Sequence, residues 1–159
     1  SGWRPTAGSH GELIDPPRPI APTGLTLPDG RPAPANAFQQ QWSLIHLARG
    51  ACNERTDAIL DELARVRLAL DKDASRVRRV LLHAGQCTPS RLPARDADLL
   101  VLRAADDTFL AGIPPANDSS DGIYIVDPHG NLMMSYPATG AARGLLKDLE
   151  RLLRLSSIG

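Results

Sequence analysis

The sequence predicts an α/β domain: a central mixed sheet flanked by helices, entered through an extended proline-rich arm. Three observations carry this. Two apolar runs of strand length, in WSLIHLA (Trp42–Ala48) and RVRRVLLH (Arg76–His83), bracket a segment with helical spacing. A second pair of apolar runs, in IYIVDPHGNLMMSY (Ile123–Tyr136), is joined by a tight-turn sequence. The first 40 residues hold 8 of the 14 prolines and 5 of the 13 glycines, so they cannot form a long helix.

The arm is expected over residues 1–40 and the domain over 41–159. Ile14, Ile20, Leu25 and Leu27 give the arm apolar side chains to press onto the domain, and Pro28-Asp29-Gly30 suits a short hairpin. It should be ordered at those contacts and loose before about residue 10. Trp42–Ala48 reads as a fully buried strand. Residues 54–70 place Ile59, Leu63, Val66 and Leu70 on one helical face, with Asp57, Glu62, Arg65 and Arg67 largely elsewhere. Strand, helix and the strand Arg76–His83 make a βαβ unit, whose two strands lie parallel. Leu99–Arg103 is a third short strand. Asp127, Pro128 and Gly130 occupy the first, second and fourth positions of a type I turn, which closes the Ile123–Tyr136 hairpin. Leu145, Leu149 and Leu152, flanked by Leu146 and Leu153, form a closing helix that ends near Ser156. The order β-α-β-(β)-β-β-α is that of a thioredoxin-like fold.

Composition narrows the function. With only six aromatics among 159 residues, the core must be built from Leu, Val, Ile and Ala. Eighteen basic residues balance eighteen acidic ones, so nucleic acid is not expected as a partner. The basic group Arg65, Arg67, Lys72, Arg76, Arg78 and Arg79 is read as a solvated helix face running into a sheet edge. No run of 18 apolar residues is present. The chain opens at Ser1-Gly2 without methionine, which is compatible with a trimmed chain that has lost a signal or anchor; whether Ser1-Gly2 are native is open. Neither a Gly-rich phosphate loop, nor G-x-S-x-G, nor a carboxylate pair at a strand end occurs, so hydrolase and nucleotide-binding functions have no support.

The chemistry gathers around RGACNERTDAILDEL (Arg49–Leu63), where one cysteine stands at a strand-to-helix junction. Helix N-terminal amides stabilise a thiolate there, and Arg49 and Arg55 are near in sequence. With Cys52, the blocks GELIDPPRP, RVRLALDKDASRVRRV, IYIVDPHGNLMMSYP and KDLERLL resemble the Sco/SenC group of the thioredoxin superfamily, over about Gly11 to Gly159. Within it they look like a proteobacterial cytochrome-oxidase-associated branch. That resemblance implies a membrane-anchored copper protein facing the bacterial periplasm from the inner membrane, with residues 1–40 as a membrane-proximal spacer. Its role would lie in cytochrome c oxidase assembly, and its partner would be an oxidase subunit or assembly factor.

The departures from the Sco pattern are specific. Family members carry Cys-x-x-x-Cys and a distant histidine as copper ligands. Here Cys52 keeps the first position, Thr56 stands at the second, and Ser119, five residues before Tyr124, takes the place of the histidine. Thr56 also cannot resolve a mixed disulfide, which excludes a two-cysteine reductase at the usual position. The expectation is therefore a non-enzymatic binding module without a bound cofactor, its copper motif degenerate. The alternative is an active thiol or copper-handling protein using Cys52 with Cys87, and His83 as a further soft-metal ligand. Cys87 follows its strand by about as many residues as Cys52 follows its own, so a bridge is open, although two separate thiols are favoured. His46 is expected as a satisfied buried imidazole, and His10 and His129 as solvated. Met133 and Met134 should point to opposite faces as core residues.

Overall fold

A computed structural model describes residues 10–87, 98–116 and 121–156. Its centre is a seven-stranded mixed sheet in the order β1-β7-β6-β3-β4-β5-β2. The strands are β1 (Glu12–Pro19), β2 (Leu25–Thr26), β3 (Trp42–Ala48), β4 (Val77–His83), β5 (Leu99–Ala104), β6 (Gly122–Val126) and β7 (Asn131–Pro137). Strand β3 is parallel to β4, and β4 to β5, while the remaining pairs are antiparallel. Every residue of β3 is buried, as its unbroken apolar run requires of a central strand.

Helix α1 (Glu54–Ala69) and helix α3 (Ala142–Leu155) cover one face. There Ile59, Leu63 and Val66 of α1 meet Leu145, Leu149 and Leu152 of α3 over Trp42, Leu44, Ile125 and Tyr136. Each such side chain contributes about 1.5–3 kcal/mol when removed from water. Helix α1 ends before a 3-10 turn, Asp71–Arg76, that leads into β4. The opposite face packs Ile45, Leu47, Val80, Leu82 and Tyr124 against Leu25, Phe38 and Leu110 of the short helix α2 (Asp107–Ala111).

The arm is more deeply built in than an extended spacer. It supplies both edge strands: β1 pairs with β7, and β2 pairs with β5. Leu25 is buried, and Ile14, Ile20 and Leu27 pack on the same cluster. Leu27 N donates to Arg31 O (2.8 Å) and Gly30 N to Leu27 O (2.9 Å), closing the short hairpin over Pro28-Asp29-Gly30. Pro16, Pro17 and Pro19 lie on the outermost strand, where missing N–H groups blunt an exposed edge. A buried carboxylate fastens the arm. Asp148, 1% exposed, accepts from Gly11 N (2.8 Å), His10 N (3.2 Å) and the Tyr136 hydroxyl (2.7 Å). Burial pushes the Tyr136 hydroxyl far above its ordinary pKa, and the Asp148 hydrogen bond adds to the shift.

Two sequence expectations need correction. The basic group is a solvated face only at Arg65 and Lys72; Arg67, Arg76 and Arg78 are half-buried and Arg79 is buried. Arg79 is 1% exposed and donates through Nε and Nη2 to Asp98 (2.8 and 2.9 Å) and through Nη1 to Leu60 O (3.0 Å). Arg76 bonds Leu153 O (3.1 Å) and Ser156 O (2.9 Å), satisfying carbonyls that the end of α3 leaves without helical partners. Met133 and Met134 do not point to opposite faces either. The register slips between Ile125 and Val126, so the extra β7 residue forms a bulge and both methionines pack on the α1–α3 side. The turn before β7 is as expected, with Gly130 N donating to Asp127 O (3.0 Å) and Gly130 at φ +89°, where a side chain is disfavoured.

Candidate thiol site at the ends of the parallel strands

Strands β3 and β4 end side by side, with Ala48 opposite His83. Their pairing continues into the loops: Ala84 N donates to Ala48 O (3.2 Å) and Cys52 N to Gln86 O (2.9 Å). Gly85 permits the approach, since a Cβ there would stand 2.6 Å from Gly50 O. The zipped loops bring the Cys52 and Cys87 Cα atoms to 4.9 Å, and the two cysteines form a disulfide. The two-thiol expectation is thereby corrected, because the loops are held by backbone bonds where sequence left each several residues of freedom. Both cysteines are half-buried against Ala48, Leu60 and Leu81. Bonded to each other, their sulfurs carry no thiolate for Arg49 or Arg55 to stabilise.

Thr56 has a structural task. Asn53 caps α1, its Oδ1 accepting from Arg55 N (2.9 Å) and Thr56 N (3.3 Å), while Thr56 Oγ1 accepts from Asn53 N (3.1 Å). This reciprocal capping box engages the Arg55 and Thr56 amides of the first turn and the Asn53 amide before it. Thr56 is 5% exposed, so the position of the second family cysteine is an oxygen already committed to the helix end.

Asp121, which the sequence reading missed, organises the other side. Its carboxylate accepts from Arg49 N (3.0 Å) and stands 3.8 Å from Arg55 Nη1. His46, Asn53, Arg55, Thr56 and Asp121 line a cavity of about 310 Å³ beside the cap. His46 is the buried imidazole expected: it is 1% exposed, with Nδ1 3.1 Å from Gly122 O. Burial pushes its pKa below the ordinary histidine value, against the Gly122 hydrogen bond. His83 is likewise lowered by burial, and its Nδ1 lies 3.3 Å from Gly85 O. His129 is exposed at its turn tip, and His10 is exposed beside Asp148.

The structure thus joins Cys52 to Cys87 and places Thr56 in the α1 cap, but among the described residues it does not assemble Cys52, Cys87 and His83 into a ligand set. Among the described residues, no three His, Cys, Asp or Glu side chains form a group able to hold a metal. Ser119 lies outside the described residues. The donor set does not fit Cu(I), which asks for soft ligands: one family position is a sulfur tied in a disulfide and another a capping hydroxyl. Among the described residues no helix is long and apolar enough to cross a membrane.

Residues 42–156 match the family model described as transmembrane-like, thioredoxin-like, C-terminal domain. No curated protein matches the sequence. Several solved structures share the fold. The apo Sco1 protein from Thermus thermophilus is 19% identical over 91% of this chain and 96% of that one, with TM-score 0.63. Copper-bound ScoI from Bradyrhizobium japonicum is 19% identical over 85% and 96%, with TM-score 0.51. BsSco, a member of the Sco family of cytochrome c oxidase assembly proteins in which a disulfide switch was identified, is 12% identical over 91% and 99%, with TM-score 0.65. At these identities the likeness is one of fold.

Proposed function

We propose that this chain, which belongs to the transmembrane-like, thioredoxin-like C-terminal domain family, is a Sco-like accessory protein of cytochrome c oxidase biogenesis. It works as a non-catalytic binding module, anchored upstream of the arm to a bacterial inner membrane, with its domain facing the periplasm. The arm, docked on both sheet edges, stands between that anchor and the rest of the domain, and the partner is an oxidase subunit or assembly factor. Likeness in fold to BsSco and to copper-bound ScoI supports the setting. The observation that carries the non-copper role is Thr56. Its hydroxyl completes the α1 cap, where a copper-binding relative needs a second thiolate.

A second reading, thiol–disulfide exchange, is favoured by the Cys52–Cys87 bridge itself. A thiolate of a partner dithiol would attack one sulfur of the bridge, giving a mixed disulfide and a free cysteine thiolate. The partner's second thiolate would then release the other cysteine. Two electrons pass from the partner, which leaves oxidised, to Cys52 and Cys87, whose thiolates take up the protons.

Deletion of the gene in its host, followed by complementation, separates the two. On the binding-module account, deletion lowers assembled oxidase, and the C52S/C87S double variant restores it as well as wild type does. Restoration by wild type alone selects the exchange reading. An oxidase level unchanged by deletion refutes both.

A further inference from the structure

The described cavity at the other end of the parallel strands carries more positive charge than its own carboxylate can balance. It is an open groove of about 570 Å³ where Gln41 precedes β3, Arg78 opens β4 and Leu99 opens β5. Its walls hold Arg67, Arg78 and Asp98, with Ser75 beside them. Asp98 is already spent: both of its oxygens accept from the buried Arg79, at 2.8 and 2.9 Å. Among the described residues Arg78 has only neutral acceptors. Its Nε and Nη2 donate to Gln41 Oε1 (3.1 and 2.9 Å) and its Nη1 to Ala37 O (3.2 Å). Arg67 donates through Nε to Val77 O (2.7 Å), and that nitrogen stands 3.6 Å from Asp98. Its two Nη groups have no hydrogen-bond partner among the described residues.

A guanidinium does not deprotonate, and charge drawn partly out of water is costly unless it is paired. With Asp98 committed to Arg79, the guanidiniums of Arg67 and Arg78 stand partly buried at the groove wall, and among the described residues neither has a carboxylate within hydrogen-bond distance. They are also preorganised. Gln41 accepts twice from Arg78 while its own Nε2 donates to Ser75 O (3.0 Å), which fixes the plane of the Arg78 fork. Guanidinium forks match the paired oxygens of carboxylates and phosphates. Leu99 and Leu100, half-exposed in the same wall, add an apolar surface for the body that carries such a group. We propose that this groove is a binding site for a small organic anion, a carboxylate or phosphate on an apolar body, held by Arg67 and Arg78 with Gln41 as a positioning residue. The proposal is independent of the oxidase role and of the Cys52–Cys87 bridge.

The test is NMR titration of the oxidised, 15N-labelled protein with inorganic phosphate and with phenyl phosphate, against sodium chloride at matched ionic strength. The site predicts saturable shifts of the Arg67 and Arg78 Nε–H signals and of the Leu99 and Leu100 amides. Phenyl phosphate should bind more tightly than phosphate, through its apolar body. Arg67→Gln should weaken phenyl phosphate by about tenfold or more, the effect of one charge-assisted contact. Gln41→Ala, which keeps both charges, should weaken it less. Arg67→Gln, which removes a partly exposed side chain, carries the test if Arg78→Gln does not fold. Shifts that do not saturate, that chloride reproduces, or that persist unchanged in Arg67→Gln overturn the proposal.

Discussion

Replacing Cys52 and Cys87 together by serine should destabilise the oxidised protein by about 2–4 kcal/mol. The bridge joins residues 35 apart. In the chain-entropy account a link of that span removes about 13 cal/mol/K from the unfolded chain, or ~3.8 kcal/mol at 25 °C. Packing works in the same direction, since both cysteines lie against Ala48, Leu60 and Leu81, and serine hydroxyls there have less apolar area to bury. The double variant avoids the stray thiol of either single change. Urea unfolding of wild type and C52S/C87S gives the difference, and the variant should show the larger m, because its unfolded state is free to expand. Thiol counting on unfolded, unreduced wild type should find no free thiol, with a monomer on a non-reducing gel. Two free thiols per chain, or a stability change below about 1 kcal/mol with an unchanged m, would refute the reasoning.

Three further changes probe the surrounding structure. Asp148→Ala strands the Tyr136 hydroxyl and two arm amides. It should cost about 3–5 kcal/mol in urea unfolding and speed amide exchange at Gly11, whereas unchanged exchange there would detach the arm from this clamp. Asn53→Ala removes the α1 cap and should cost about 0.5–2 kcal/mol; Thr56→Ala removes the reciprocal half and should cost less, by the same assay. Asp98 is held below the ordinary carboxylate pKa, first by its Arg79 hydrogen bond and then by the charges of Arg79 and Arg67. Its contribution is therefore fully present above the unfolded carboxylate value and is lost as pH falls through the lower folded value. Asp98→Asn should flatten that acid limb of stability against pH; an unchanged limb would remove Asp98 from it.

Much of this arrangement was legible in the residues. Periodicity and run length place β3, α1, β4 and the β6–β7 hairpin within a residue or two of their observed ends, because the central strands are buried on both faces and read as continuous apolar runs, while α1 buries one face. The edge strands were not legible. DPPRP reads as a breaker, and only the neighbouring β7 makes it a strand. Arg79 and Asp148 did leave a signal. Arg79 alternates with Val77 and Leu81, and Asp148 lies three residues after Leu145 and four before Leu152, so each charge sits on an apolar face. The Cys52–Cys87 bridge was visible only as the less favoured option, because it depends on Gly85 and on hydrogen bonds between two irregular loops. Asp121 carries no local pattern at all; its partners Arg49 and Arg55 lie far from it in sequence and meet it only through the pairing of β3 with β6.

The central claim is that the chain kept the scaffold of a copper-binding relative while its second thiolate position became a helix cap. Titration of the fully reduced protein with Cu(I), in competition with a strong chelator, tests it most directly. Opening the bridge frees two thiolates, but Thr56 offers only a hard oxygen where the Sco pattern has a soft ligand, so the pair should lose Cu(I) to a strong chelator. The account predicts that no copper stays with the chain. One tightly held copper per chain would contradict it and turn the site into a working copper centre.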